Sequence, residues 1–212
     1  MTTRDRAPEV LAPRETGVPV PQIMTEEEFV AWCDEDTRAE WVNGELVMMT
    51  PASIEHNRLA LWLASLLEHF VAHRELGVVV HEGQIRPAGQ RSRRVPDIWF
   101  LSKARMDLIR DTHLEGTPDL VVEIVSPESE ARDWREKYLE YEAAGVREYW
   151  VVDPASRHVE AYALGAEGEP QGTEAAAKQY RRLPEQEGVI ARRSFRASGC
   201  GPPGCGRTPD RR

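Results

Sequence analysis

The chain has 212 residues, 41% of them hydrophobic, with three cysteines and a net charge of −9. That is enough for one sizeable core, and the acidic balance argues against non-specific nucleic-acid binding through bulk charge, though not against a local basic groove. No run approaches the roughly 20 apolar residues of a membrane span, the first residues lack the apolar stretch of a secretory signal, and Cys33, Cys200 and Cys205 show no disulfide or zinc spacing; the expectation is a cytoplasmic protein that does not enter a membrane.

Residues 1–22 hold four prolines and no apolar period, and read as a flexible N-terminal arm. Thr25 followed by Glu28 forms a capping box, so a short helix starts before Phe29, Val30 and Trp32. Trp41 to Val47 reads as a hairpin, because Asn43-Gly44 supplies the two positive-φ residues of a type I′ turn. A long helix follows Pro51 with Ser53 as N-cap, and Leu59, Leu63, Leu66, Leu67 and Phe70 mark its apolar face. A strand is expected from Gly77 to about Arg86, and another over 95–101. Residues 120–125 are apolar on both faces, as in a central strand. A helix over about 131–144 ends at Gly145, a C′ glycine. Val146 to Val152 reads as a buried strand, and His158 to Leu164 as its antiparallel neighbour. Hairpin-like strands followed by a crossover helix predict a mixed sheet with helices packed on it. There is no GxGxxG and no Walker-type loop, so nucleotide-cofactor binding has no support.

Three segments place charge where the pattern is apolar. Asp97 follows Pro96 near the start of one strand, on the face of Trp99 and Leu101. Glu123 shares a face with Val121 and Val125 in the next. A carboxylate in such a strand is costly unless something pairs with it. If the strands are neighbours, the two acids lie side by side, where one takes a proton or a cation sits between them. Mg2+ or Mn2+ suits such a pair, since it prefers a few carboxylate oxygens plus waters and phosphate. Lys137 lies in a helical stripe with Trp134, Tyr138 and Tyr141, and points toward the sheet. Plainer readings stand beside these. Asp97 also fits a turn residue, Glu123 an acid paired with an arginine, and Lys137 a snorkelling lysine or the i, i+4 partner of Asp133. Glu40, Glu55, His56 and Gln84 form a second tier. For His56 an ordinary polar surface residue is the plainer reading. Arg86, Arg91, Arg93, Arg94 and Lys103 cluster around the first acidic strand, as a basic groove or simply as a solvated loop.

Met24 to Phe29, Val42 to Val47, Ser53 to Asn57, Val95 to Ile98, Pro118 to Pro127, Lys137 to Tyr141, Ala144 to Val146 and Glu148 to Pro154 together resemble the Uma-type restriction endonucleases. These are a bacterial branch of the PD-(D/E)XK nuclease superfamily, and the resemblance covers about 24–165. It implies an α/β restriction-endonuclease-like core, a mixed central β-sheet flanked by helices, over 23–188. It implies a metal-dependent endonuclease acting on DNA, with Asp97 and Glu123 as the metal-holding acids. The superfamily lysine two residues after the second acid is Val125 here, which makes Lys137 the replacement. Pro118-Asp119 is a second PD. Asp119 lies on one strand with Glu123, about two pleats away, too far to share a small cation. An inactive or weak nucleic-acid-binding or interaction module on the same fold is the alternative function, and a hydrolase of another phosphoester is a third. A homodimer stays open. Residues 189–212 have almost no apolar content and read as a disordered tail. A one-base shift within codons for Cys200 to Gly206 yields an apolar ending of the type this family carries, so a frameshift is expected, and the gene sequence tests it.

Overall fold

The computed structural model describes residues 23–34, 37–125, 132–165, 179–186 and 189–190. Helix α1 (Glu26–Trp32) begins at the capping box: Thr25 Oγ1 accepts from Glu28 N at 3.2 Å, and Glu28 Oε2 accepts from Thr25 N at 2.8 Å. Its one buried side chain, Phe29, packs with Ala39 and Trp41. Strands β1 (Ala39–Val42) and β2 (Glu45–Met48) form the expected hairpin, with φ of 53° at Asn43 and 97° at Gly44. A short strand, β5 (Ser92–Arg93), pairs with the other edge of β1 and completes a three-stranded sheet.

Helix α2 (Ile54–His73) starts where Ser53 Oγ accepts the His56 N–H at 3.1 Å. Its inward face differs from the expected one. Ala60, Ala64 and Val71 are buried, with Leu59, Leu63 and Leu67 half-buried beside them. Leu66 and Phe70 instead face outward. Small alanines let the helix axis approach the sheet closely, and the leucines then pack along the flanks of that contact.

The central sheet has six strands: β3 (Gly77–His81), β6 (Ile98–Ser102), β8 (Leu120–Ile124), β9 (Glu148–Asp153), β10 (His158–Leu164) and β11 (Tyr180–Arg182). Their spatial order is β11-β10-β9-β8-β6-β3. Only β8 and β9 run parallel, and helix α3 (Arg132–Ala144) lies between them in sequence. That is the mixed sheet expected from the element order. Alternation on β6 and β8 divides the core. Trp99, Leu101 and Val121 pack with Tyr141 and Tyr149 on the α3 side, and Ile98, Phe100, Leu120, Val122 and Ile124 pack with α2.

The strand expected to run from Gly77 to Arg86 is two strands. Glu82 has φ 51°, and β4 (Gln84–Arg86) leaves the large sheet to pair in parallel with β7 (His113–Glu115). The break lies under the Trp99 indole, which donates to the Gly83 carbonyl at 2.8 Å. A Cβ at Gly83 would stand 2.8 Å from that indole nitrogen, so only glycine fits. Helix α3 ends as expected. Gly145 has φ 83°, and the Val146 and Gly145 N–H groups return to the Tyr141 and Glu142 carbonyls, each at 3.0 Å. Strands β12 (Glu185–Gln186) and β13 (Val189–Ile190) pair, which carries paired backbone two residues past the expected boundary at 188. The expected arm at 1–22 lies outside the described residues, and so does all of the expected 189–212 tail, with its frameshift reading, beyond residue 190. Among the described residues no helix is long and apolar enough to cross a membrane.

Gly77 pairs with Ser102 at the edge of the sheet, and a Cβ there would meet the Leu101 carbonyl oxygen at 2.0 Å. We expect Gly77→Ala to lower stability by about 3 kcal/mol in urea unfolding, because backbone and not a side-chain tip must move.

Candidate active site

Five elements bring their charged side chains to one end of the central sheet. Asp97 directly precedes β6. The register that pairs Ile98 with Val122 places it across from Glu123. Its two oxygens are used differently: Oδ2 accepts the Ile124 N–H at 2.6 Å, and Oδ1 lies 3.0 Å from His56 Nε2 on the first turn of α2. Glu123 projects to the α3 side of β8. There Tyr141 donates to Oε1 at 2.9 Å and Lys137 donates to Oε2 at 3.1 Å. Lys137 and Tyr141 stand four residues apart on α3, so one helix face delivers both donors to one carboxylate. Glu40 on β1 completes the group, 3.9 Å from Lys137 Nζ.

Asp97, Glu123, Lys137, Glu40 and His56 are therefore neighbours, whereas Gln84 points elsewhere, its oxygen accepting from Arg93 at 3.0 Å. Glu55 is exposed on the outside of α2. Asp119 is held by the Ser102 N–H at 2.8 Å and by Arg105 at 2.9 Å, which makes it a brace between β6 and the start of β8. Val125 packs against the apolar core. The side chain of Asp133, the alternative partner of Lys137, lies outside the described residues.

The solvated-loop reading of the arginine cluster fails for three of its members. Arg94 is 2% exposed and joins Glu40 at 2.8 Å to Glu140 on α3 at 2.6 Å. Ser92 also bonds Glu140, and the Val95 N–H reaches Glu40 at 2.9 Å. Arg86 and Arg93 both bind Glu26 on α1, and Arg86 also binds Glu115 on β7. Arg91 is exposed, and Lys103 forms an exposed pair with Glu75. Charge count alone could not separate these groups. The one sequence signal was that Arg93-Arg94 directly precedes an apolar strand.

The buried Glu40 and Glu123 and the half-buried Asp97 face Lys137, Arg94 and one imidazole. Burial pushes the Glu123 carboxyl up to about 7; Lys137 opposes this, while Asp97 and Glu40 add to it. Burial also acts on Glu40, but Lys137, Arg94 and the Val95 N–H outweigh it and hold that group below the usual carboxylate range. The bond to Asp97 raises His56 against the opposing effect of its burial. Burial, with Glu123 and Glu40 nearby, drives the Tyr141 hydroxyl well above its ordinary value, so it remains a donor. His56 Nδ1 is buried with no hydrogen-bond partner among the described residues. Among those residues no three His, Cys, Asp or Glu side chains form a ready-made metal cage.

Two outcomes follow. Arg94→Met leaves Glu40 and Glu140 without their shared cation, and should cost about 3–5 kcal/mol in urea unfolding. Folded Glu123 holds its proton up to about pH 7, whereas its ordinary value is 4.5. Its contribution to stability is therefore full below pH 4.5 and lost as pH rises through 7. Unfolding measured across that window without divalent cations should show a downward slope that Glu123→Gln reduces.

Comparison with known proteins agrees with this architecture. A crystal structure described as a putative nuclease belonging to DUF820, from Anabaena variabilis, matches with a TM-score of 0.62 at 18% identity, covering 81% of this chain and 90% of that one. At that identity the likeness shows the fold, which is restriction-endonuclease-like. An uncharacterized protein of Synechocystis sp., sll1609, is 24% identical over 143 residues, covering 66% of this chain and 81% of its own length. The family model Uma2, described as "Putative restriction endonuclease", matches residues 26–195. The chain belongs to the Uma2 family.

Proposed function

We propose that the protein hydrolyses DNA phosphodiester bonds with Mg2+ or Mn2+. The observation that supports this most is the meeting of Asp97, Glu123 and Lys137 at one sheet end, with Lys137 Nζ 3.1 Å from Glu123 Oε2. The donors suit the cation. Two hard carboxylates offer oxygen; burial is what chiefly raises the Glu123 carboxyl, and the neighbouring Asp97 and Glu40 add to it. Mg2+ commonly takes one or two carboxylates and fills its remaining positions with water and phosphate, so a full protein cage is not required. Asp97 and Glu123 would hold it. The bound cation supplies water activation and neutralises charge developing on the phosphoryl oxygens.

The chain's own groups have distinct tasks. The Ile124 N–H and His56 fix the Asp97 carboxylate from two directions. Tyr141 fixes one oxygen of Glu123. Lys137 shifts from Glu123 toward the scissile phosphate, where its ammonium steadies the charge as water attacks phosphorus and the bond to the leaving oxygen breaks. Glu40, held by Arg94 and the Val95 N–H, keeps that ammonium in place. In this reading the lysine two residues after the second acid is dispensable because α3 brings its own.

The test is cleavage of plasmid and linear DNA with Mg2+ or Mn2+. Asp97→Ala, Glu123→Ala and Lys137→Met should each lose at least about 100-fold. Asp119→Asn should keep its rate at temperatures where it remains folded. Equal cleavage by wild type and the two acid variants would sink the site assignment. Val125, standing where the superfamily pattern has its lysine, favours a second reading, a nucleic-acid-binding or interaction module without catalysis. Calorimetric titration with Mn2+ separates the two, since no heat at millimolar metal favours the module.

A further inference from the structure

Helix α2 carries an outer face that no described residue covers. Trp62 is 62% exposed, Leu61 61% and Leu66 51%. Ile54 and Phe70 lie on the flanks, also exposed. With the polar side chains between them, these residues form a strip the length of a 20-residue helix, about 30 Å. The apolar part is on the order of 500 Å2, within the roughly 300–600 Å2 of the largest patch a monomer leaves open, a patch that is often functional. The exposed polar neighbours Arg58, His69 and His73 bring the strip near the roughly 800 Å2 per partner that specific association takes.

The order of groups along this strip says what fits it. From the N-terminal end it reads Glu55, Arg58, Trp62, Leu66, His69 or Phe70, then His73, at helical spacing and all exposed. Laid antiparallel on itself about a two-fold axis midway between residues 62 and 66, it is complementary. Glu55 meets the partner's His73, Arg58 meets the partner's Phe70, and Trp62 meets the partner's Leu66. Each contact occurs twice, as an isologous interface requires. Ser65 lies near the axis on the same face, a small residue that permits close approach. Antiparallel helices also oppose their dipoles. Two chains of charge −9 would repel over most of their surface, yet this strip holds one acid and it faces a histidine.

We propose that the protein forms a two-fold homodimer through the outer face of α2. The interface does not rest on the nuclease reading. The face turned away from it carries His56 inward to Asp97, so pairing through α2 leaves the candidate site uncovered by the helix contact.

Sedimentation equilibrium of the full chain over a micromolar concentration series tests it. Wild type should show twice the chain mass, and Trp62→Glu should weaken association at least about 30-fold while circular dichroism stays unchanged. If Trp62→Glu fails to fold, a charge exchange decides. Glu55→Lys should weaken the dimer, and adding His73→Glu should restore it. A monomeric wild type overturns the proposal, as does a folded Trp62→Glu that still dimerises, or a double variant no tighter than Glu55→Lys alone.

Discussion

Glu123 is buried on a central strand of a six-stranded sheet, and an acid there is tolerated because Lys137 and Tyr141 reach it from α3. Their helix is in turn fixed to the small sheet by Arg94, which bonds Glu140 on one side and Glu40 on the other. Glu40 closes the ring by standing beside Lys137. The group thus alternates sign around a loop: acid, lysine, acid, arginine, acid. Removing one member leaves a neighbour charged and dry, and that cost is larger than the net contribution of any intact pair. The site and the junction between the two sheets are therefore one electrostatic unit.

Tyrosines do for shape what these ions do for charge. Tyr138, Tyr149, Tyr162 and Tyr180 meet edge to face, stacked or tilted, with centroids 5.0–6.3 Å apart, and fill the space between α3 and the far strands. Such rings are rigid and large. They hold α3 at a fixed height over β8, and that height sets how far Lys137 must reach.

Local chemistry made much of this legible in the sequence. Thr25 and Glu28, Asn43-Gly44, Ser53 and Gly145 each announce a terminus or turn through contacts within a few residues. Strand alternation ordered the faces of β6 and β8 correctly, because period two leaves no freedom once one face is buried. What escaped depends on distant partners. Arg94 reads as a loop cation until Glu40 and Glu140, 54 and 46 residues away, are placed beside it. The break at Glu82 depends on the Trp99 indole, and the inward face of α2 depends on alanines rather than leucines meeting the sheet. Of the charged group, the acids and lysine stood out as misfits in apolar pattern. Gln84 looked equally polar near a strand end, and only the position of Arg93 claims it.

One oxygen of Asp97 accepts a main-chain N–H from Ile124, the kind of bond a neighbouring strand would ordinarily make. The acid is thereby stitched into the hydrogen-bond ladder, and a shift of one residue along either strand would carry it to the wrong face. A lysine has no such tie, since its ammonium needs only to arrive at the end of a long, adjustable stem. The two kinds of group have unequal freedom to wander during descent. Acids of this sort are bound to their strand positions, whereas the cation can be supplied from a helix when the strand offers valine.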